Sequence, residues 1–220
     1  MKNKYLFLFS LTVFLLFTAS CGKDELPVPK GVTGSVEDIE GNVYKVITVG
    51  KQEWTAENLR TTKYRDGTDI SESEYFWYND DKEKYKGTYG ALYKWYAKET
   101  GKLCPEGWRV PSYDDWEILI KNLGGAAIAG GKLKETGIEH WKSPNTGATN
   151  ETKFSALPGG VCIYSTSNDT TRYGNIGEFG VWWTEYKSAV RLSYYCETVR
   201  FIYVYDINRG YSVRCIRDIK

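Results

Sequence analysis

Residues 104–116 read CPEGWRVPSYDDW, and they constrain the fold more tightly than any other stretch of the chain. Ser112, directly after Pro111, is a good helix N-cap, and Asp115 three positions on is the acidic partner of a capping box. Asp114 and Asp115 fall in the first turn, where the helix dipole favours negative charge by roughly a few tenths of a kcal/mol each. Trp116, Leu119, Ile120 and Leu123 recur at helical spacing, and Gly124-Gly125 stops the pattern. The spacing therefore predicts a helix from Ser112 to Leu123 that buries Trp116. Adjacent helical residues do not face each other, so the two aspartates read as capping residues and not as a catalytic carboxylate pair.

Outside that helix the chain turns often. It carries 22 Gly and 6 Pro, and its 15% aromatic content includes 8 Trp and 18 Tyr, a load that favours strands and packed loops over long helices. Val43–Val49 (VYKVITV) is β-branched and lies between the turn signals Glu40-Gly41-Asn42 and Gly50-Lys51, so strands are expected on both sides of each turn, Gln52 opening the next. Tyr89, Leu92, Tyr93 and Tyr96 lie at i, i+3, i+4 and i+7, which predicts a second helix closing near Gly101. Residues 143–180 read as a long irregular region ordered by Phe154, Leu157, Cys162 and Phe179. Strands are expected at Val181–Glu185 and Arg191–Tyr195, and a closing hairpin pairs Val199–Tyr205 with Tyr211–Arg217.

The N-terminus has the pattern of a targeting segment. Lys2 and Lys4 precede an apolar run from Tyr5 to Phe17, too short to span a bilayer, where about 20 residues are needed. The run ends in Thr18-Ala19-Ser20-Cys21, which resembles a bacterial lipobox; an ordinary secretory signal is the alternative. Cleavage before Cys21 would leave a thiol for lipid attachment, each buried methylene adding about 0.8 kcal/mol of membrane affinity. Gly22-Lys23-Asp24-Glu25 resembles the surface-export signal of Bacteroidota lipoproteins, and Leu26-Pro27-Val28-Pro29-Lys30-Gly31 reads as a stiff tether. The expected organisation is a signal peptide over 1–20, a lipidated cysteine and tether over 21–33, and a domain over 34–219, carried on the cell outer membrane and facing outward.

Charge and residue inventory exclude several functions. The formal net charge of +1 gives no global basic field for nucleic acid. Setting Cys21 aside leaves Cys104, Cys162, Cys196 and Cys215, which allow three pairings in a disulfide-permissive compartment. No Cys-x2-Cys spacing exists and His140 is the only histidine, so no metal or other cofactor is expected. A Ser-His-Asp or Cys-His site would have to use His140, which sits in a turn-like Gly137-Ile138-Glu139-His140-Trp141 and reads as structural. No catalytic residues are expected.

Several dense runs then carry a resemblance. They are Asp38-Ile39-Glu40-Gly41-Asn42-Val43-Tyr44, Trp54-Thr55-Ala56-Glu57-Asn58-Leu59, Tyr89-Gly90-Ala91-Leu92-Tyr93-Lys94-Trp95-Tyr96, Leu103-Cys104-Pro105-Glu106-Gly107-Trp108-Arg109-Val110-Pro111-Ser112, Gly130-Gly131-Lys132-Leu133-Lys134-Glu135, Leu157-Pro158-Gly159-Gly160 and Val213-Arg214-Cys215-Ile216-Arg217-Asp218. Together they resemble the Fibrobacter succinogenes major paralogous domain. That family resembles the C-type lectin-like fold, particularly its sulfatase-modifying-factor branch. The resemblance implies an α+β domain of short antiparallel strands, two helices and long ordered loops. It also implies the pairing Cys104–Cys215, since both cysteines lie in family motifs, and leaves Cys162–Cys196 as an added pair. The calcium-dependent sugar signature of C-type lectins is interrupted in Trp77-Tyr78-Asn79-Asp80 and lacks its carboxylate in Ser143-Pro144-Asn145. The paired cysteines of formylglycine-generating enzymes are missing beside Cys196. The expected function is a surface-anchored, non-enzymatic binding or adhesion module for glycan or protein, with Asn168, Asp169, Arg172 and Tyr173 as candidate ligand contacts. A structural envelope subunit is the alternative, and a glycan-processing enzyme a more distant one.

Overall fold

The computed structural model describes residues 31–165, 167 and 170–219. Cys21 and the N-terminal signal lie outside the described residues, as do Asn168 and Asp169. The described chain mixes helix with small antiparallel sheets. The first sheet has the order β1-β2-β3-β12, formed by Val32–Glu37, Val43–Val49, Gln52–Thr55 and Ile216–Asp218. Asp38 makes the first turn by accepting the Glu40 and Asn42 backbone N–H groups, both at 3.0 Å, and the Tyr44 hydroxyl at 2.6 Å. Gly50 makes the second, opposite register Val49↔Gln52, with φ of 61°. A Cβ there would also approach Asn122 Nδ2 to 2.5 Å, so only glycine fits. The last strand returns to pair with β3, which brings both ends of the domain into one sheet.

The capped helix forms as the sequence dictates. It is α3, Tyr113–Asn122; α1 is Lys82–Tyr89, α2 Trp95–Glu99 and α4 Ala126–Leu133. Ser112 Oγ accepts the Asp115 N–H at 3.1 Å, and Asp115 Oδ2 accepts the Ser112 N–H at 2.6 Å. Arg109 grips the same carboxylate with both Nη atoms. Burial pushes the Asp115 carboxyl upward, but Arg109 and the Ser112 donors outweigh it and hold the group below the usual carboxylate range. Trp116 is fully buried, with its ring centroid 4.9 Å from Trp54 and 5.8 Å from Phe154. Gly124 and Gly125 end the helix in left-handed conformation, and α4 begins at once.

The expected helix around Tyr89–Ala97 does not form. Tyr89 ends α1, Gly90 reverses the chain at φ 72°, and Leu92–Tyr93 is a strand, β5, paired with β4, Tyr75–Phe76. The cause is tertiary pairing: Tyr93 N donates to Tyr211 O at 2.8 Å and Tyr211 N to Tyr93 O at 3.0 Å. The described residues hold four α-helices where two were expected: α3 forms as expected, α2 covers only the end of the other expected helix, and α1 and α4 are additional. The irregular region contains a hairpin, β6 (Val161–Ser165) and β7 (Thr170–Gly174). The two strands expected after it form as β8 (Phe179–Trp183) and β9 (Ser188–Ser193), two to three residues earlier, and they pair with each other antiparallel. The closing hairpin is absent. Instead β10 (Arg200–Tyr203) pairs with β9, β11 (Arg209–Gly210) with β6, and β12 with β3, so the last strands join three different sheets.

The disulfide implied by the resemblance is present: Cys104 and Cys215 are bonded, with Cα atoms 5.9 Å apart and a sequence separation of 111. The second expected pair is corrected. Cys162 and Cys196 are both free. Cys162 faces Tyr78, Tyr85 and Leu92 beneath β6, whereas Cys196 follows β9 beside the ammonium group of Lys134, so the two thiols belong to different neighbourhoods. Replacing Cys104 and Cys215 by serine is expected to cost about 2–5 kcal/mol, read as a fall in the urea unfolding midpoint at unchanged slope; an unchanged midpoint would contradict this role for the cross-link.

Candidate functional site

Arg214 is where the two ends of the domain meet. It is 1% exposed and lies just before β12. Its Nε donates to Asn58 Oδ1 at 2.7 Å, Nη1 to Thr55 O at 2.9 Å and Phe154 O at 2.8 Å, and Nη2 to Ser155 O at 3.2 Å. Asn58 Oδ1 also accepts the Trp182 indole N–H at 2.8 Å, while its Nδ2 donates to Tyr89 O at 2.8 Å and Ser212 Oγ at 3.2 Å. All four acceptors of the guanidinium are neutral. Burial pushes its pKa down to about 9, and the only charge that opposes this is that of Glu57. A guanidinium has five N–H groups, so one is left over.

That cation forms the floor of a cavity of about 490 Å3, within the usual size of small-ligand pockets. Asn58, Ser155 and Leu157 line it deeply, and Lys45, Glu57 and Lys153 stand around it. A second, shallower cavity of about 310 Å3 is lined by Lys84, Tyr85, Tyr89, His140 and Ile176. Thr88 borders both cavities. Glu135 of the first lies 2.7 Å from His140 Nδ1 of the second. The two spaces therefore flank one ridge. On the shallow side runs a row of rings: Tyr173 to Tyr78 at 5.4 Å, Tyr78 to Tyr85 at 5.3 Å, Tyr85 to Tyr89 at 6.0 Å, and Tyr89 edge-on to His140 at 5.7 Å. Tyr78 and Tyr85 are buried within this row, so the shelf that a ligand can meet is formed by the half-buried rings of Tyr89 and Tyr173, beside hydrogen-bonding groups.

The residues singled out from sequence are separated. Tyr173 lies on β7 within the aromatic row, and its hydroxyl donates to Asp80. Arg172, one residue away, is exposed on the other face of the strand, as the two-residue period of a strand requires. Trp77-Tyr78-Asn79-Asp80 forms a tight turn at Tyr78–Asp80 with Asn79 and Asp80 at positive φ. Among the described residues no cluster of three or more His, Cys, Asp or Glu could hold a metal ion. His140 pairs with Glu135 and Tyr89, which gives it contacts on two sides.

The family model of the Fibrobacter succinogenes major domain matches residues 47–217. The chain belongs to this family. The match takes in Asn58, Tyr85, Tyr89, Cys104, the capped helix, His140, Arg214 and Cys215, and so nearly all of both cavities. Lys45 and the first strand precede it. No curated protein and no solved structure matches the chain. The Fibrobacter succinogenes major domain here also buries three lysines, Lys94, Lys98 and Lys134. Lys134 Nζ donates to the carbonyls of Thr146 and Ser193, both at 2.9 Å, and of Cys196 at 3.0 Å. Lys98 lies over the Trp95 ring, 3.4 Å from its centroid, and donates to Glu185 O.

Burial pushes Lys98 and Lys134 down to about 8 from an ordinary 10.5, while it drives the Tyr44 and Tyr93 phenols upward from 10.0. Between about pH 8 and about pH 10.5 the unfolded chain holds lysine protons that the folded chain has lost, so these groups make stability rise with pH. Above about pH 10 the folded phenols keep protons that the unfolded chain releases, and stability falls. The thermal midpoint is expected to climb from about pH 8 to about pH 9.5 and drop beyond about pH 10; a steady fall from about pH 8 would contradict this balance.

Proposed function

We propose that this chain is a lipoprotein anchored through Cys21 to the outer membrane, facing outward, and that its domain is a C-type lectin-like glycan-binding module without enzymatic activity. The anchor rests on the basic start, the apolar run of Tyr5 to Phe17 and the lipobox-like Thr18-Ala19-Ser20-Cys21. The observation that carries the binding reading is the ridge at Thr88, with an aromatic shelf on one side and a polar pocket on the other. Sugars present apolar C–H faces and hydroxyl edges together, and this pairing of surfaces suits both. Gly31 and Val32 border the deeper pocket, and they lie ten residues beyond Cys21, a reach of at most about 35 Å when fully extended. The site would thus stand close to the membrane surface.

A second reading has its own support. Tyr205 is 87% exposed, Tyr186 68%, Tyr203 63% and Tyr96 53%. Contacts link them into one area: the Tyr203 and Tyr205 rings are 4.6 Å apart, Val204 N donates to Lys187 O at 2.9 Å, and Lys187 Nζ lies 5.7 Å from the Trp95 ring. Tyrosine is enriched at protein interfaces, so this face favours an adhesive contact with protein.

The test is a glycan array probed with residues 21–220 carrying Cys21→Ser. Binding is expected, unchanged by chelator, and reduced at least about tenfold by Tyr89→Ala in protein that still melts cooperatively, as loss of one stacking platform implies. A silent array with folded protein would move the function to the tyrosine face. Loss of binding on chelation would mean a metal-dependent site.

A further inference from the structure

The deeper cavity is lined by a buried charge that no carboxylate contacts directly. Arg214 is fully buried, yet its four bonds go to three carbonyls and one amide oxygen. Buried arginines are held far more favourably when a carboxylate meets the fork of N–H groups. Two carboxylates do line the cavity, and each is committed elsewhere. Glu57 Oε2 accepts the Lys45 backbone N–H at 2.6 Å, and Glu135 Oε2 meets His140 at 2.7 Å. Lys45 and Lys153 add two exposed cations, so the lining holds three cations to two carboxylates. Arg214 lines this space, which is large enough for a single sugar ring, and one N–H of its guanidinium has no acceptor among the four bonds above.

We infer that the Arg214 cavity receives the carboxylate of an acidic sugar, a uronic acid residue of a glycan, with the guanidinium as its anchor and Lys45 and Lys153 as its rim. This rests on the glycan-binding reading above and names the chemical class of its ligand. A carboxylate oxygen there would take the fifth N–H of Arg214, and the ring hydroxyls would face Ser155 and Thr88. The half-buried Tyr89 ring would carry the next sugar of the chain across the Thr88 ridge. Burial's downward pressure on the Arg214 pKa agrees with this, since an arriving anion relieves it.

The experiment is an NMR titration of residues 21–220 carrying Cys21→Ser, following the Arg214 Nε–H and the Asn58 side-chain amide. The probes are sodium D-glucuronate, D-glucose and sodium acetate. Glucuronate is expected to shift both signals saturably, glucose to bind at least about tenfold more weakly, and Lys153→Glu or Lys45→Glu to weaken glucuronate about fivefold or more. Both lysines are exposed, so these variants keep the fold. Equal affinity for glucose and glucuronate would overturn the acidic class while leaving glycan binding in place. Equal affinity for acetate and glucuronate would overturn the sugar assignment. Absence of any shift at Arg214 would overturn the cavity as a site, whereas binding on the array that depends on Tyr89 would still stand.

Discussion

A buried positive charge with only neutral acceptors organises this domain. Removing an ion from water without a counter-ion is tolerable only when dipoles take the place of its hydration shell. Arg214 meets that demand with Thr55 from the first sheet, Phe154 and Ser155 from the long second-half region, and Asn58. Asn58 in turn fixes Trp182, Tyr89 and Ser212, so one amide and one guanidinium join five distant parts of the chain. The Cys104–Cys215 bond sits next to this hub in sequence and restrains the same late segment. Lys134 repeats the device elsewhere, gathering three carbonyls from segments that would otherwise be loops.

The hub explains why so little regular structure suffices. The strands are short and the sheets small, yet large rings fill the interior: Trp54, Trp116, Trp141, Trp182 and Trp183 are all fully buried. Each brings a large apolar area, and four of the five indole N–H groups find a partner, that of Trp116 being buried without one. Trp141 gives its own to Ala156 O at 2.9 Å and Trp183 to Tyr93 O at 2.6 Å. Irregular backbone thus becomes a hydrogen-bonding resource for the core. Positive φ at Asn145, Asn150, Lys153 and Ser155 bends the long region around these contacts, with Asn145 Nδ2 reaching Glu135 O at 2.8 Å and Gly137 O at 2.7 Å.

What was legible in sequence were the features determined locally. The capping box of Ser112 and Asp115 involves residues three apart, and the turns at Asp38–Asn42 and Gly50-Lys51 are set by their own side chains and glycines. What was not legible depended on distant partners. Tyr89–Ala97 has helical spacing, but Tyr93 is claimed by Tyr211, and that pairing overrides periodicity. Val199–Tyr205 and Tyr211–Arg217 look like one hairpin because nothing local says that residues 200–203, 209–210 and 216–218 join different sheets. Cys162 and Cys196 were paired by elimination, which carries no distance information.

The site was hidden for a related reason. A polar loop suggested Arg172 and Tyr173, but neighbours on a strand point to opposite faces. Arg214 and Asn58 stood inside the family-like runs without any sign that one would be buried against the other, because burial of a polar pair is a property of packing. Tyr85 and His140 come together only through α1 and the fold of the second half. The direct test of the hub is a double-mutant cycle between Asn58→Ala and Arg214→Lys, read by urea unfolding. A coupling of at least about 1 kcal/mol is predicted. Additive losses, with coupling near zero, would contradict a domain organised around this pair.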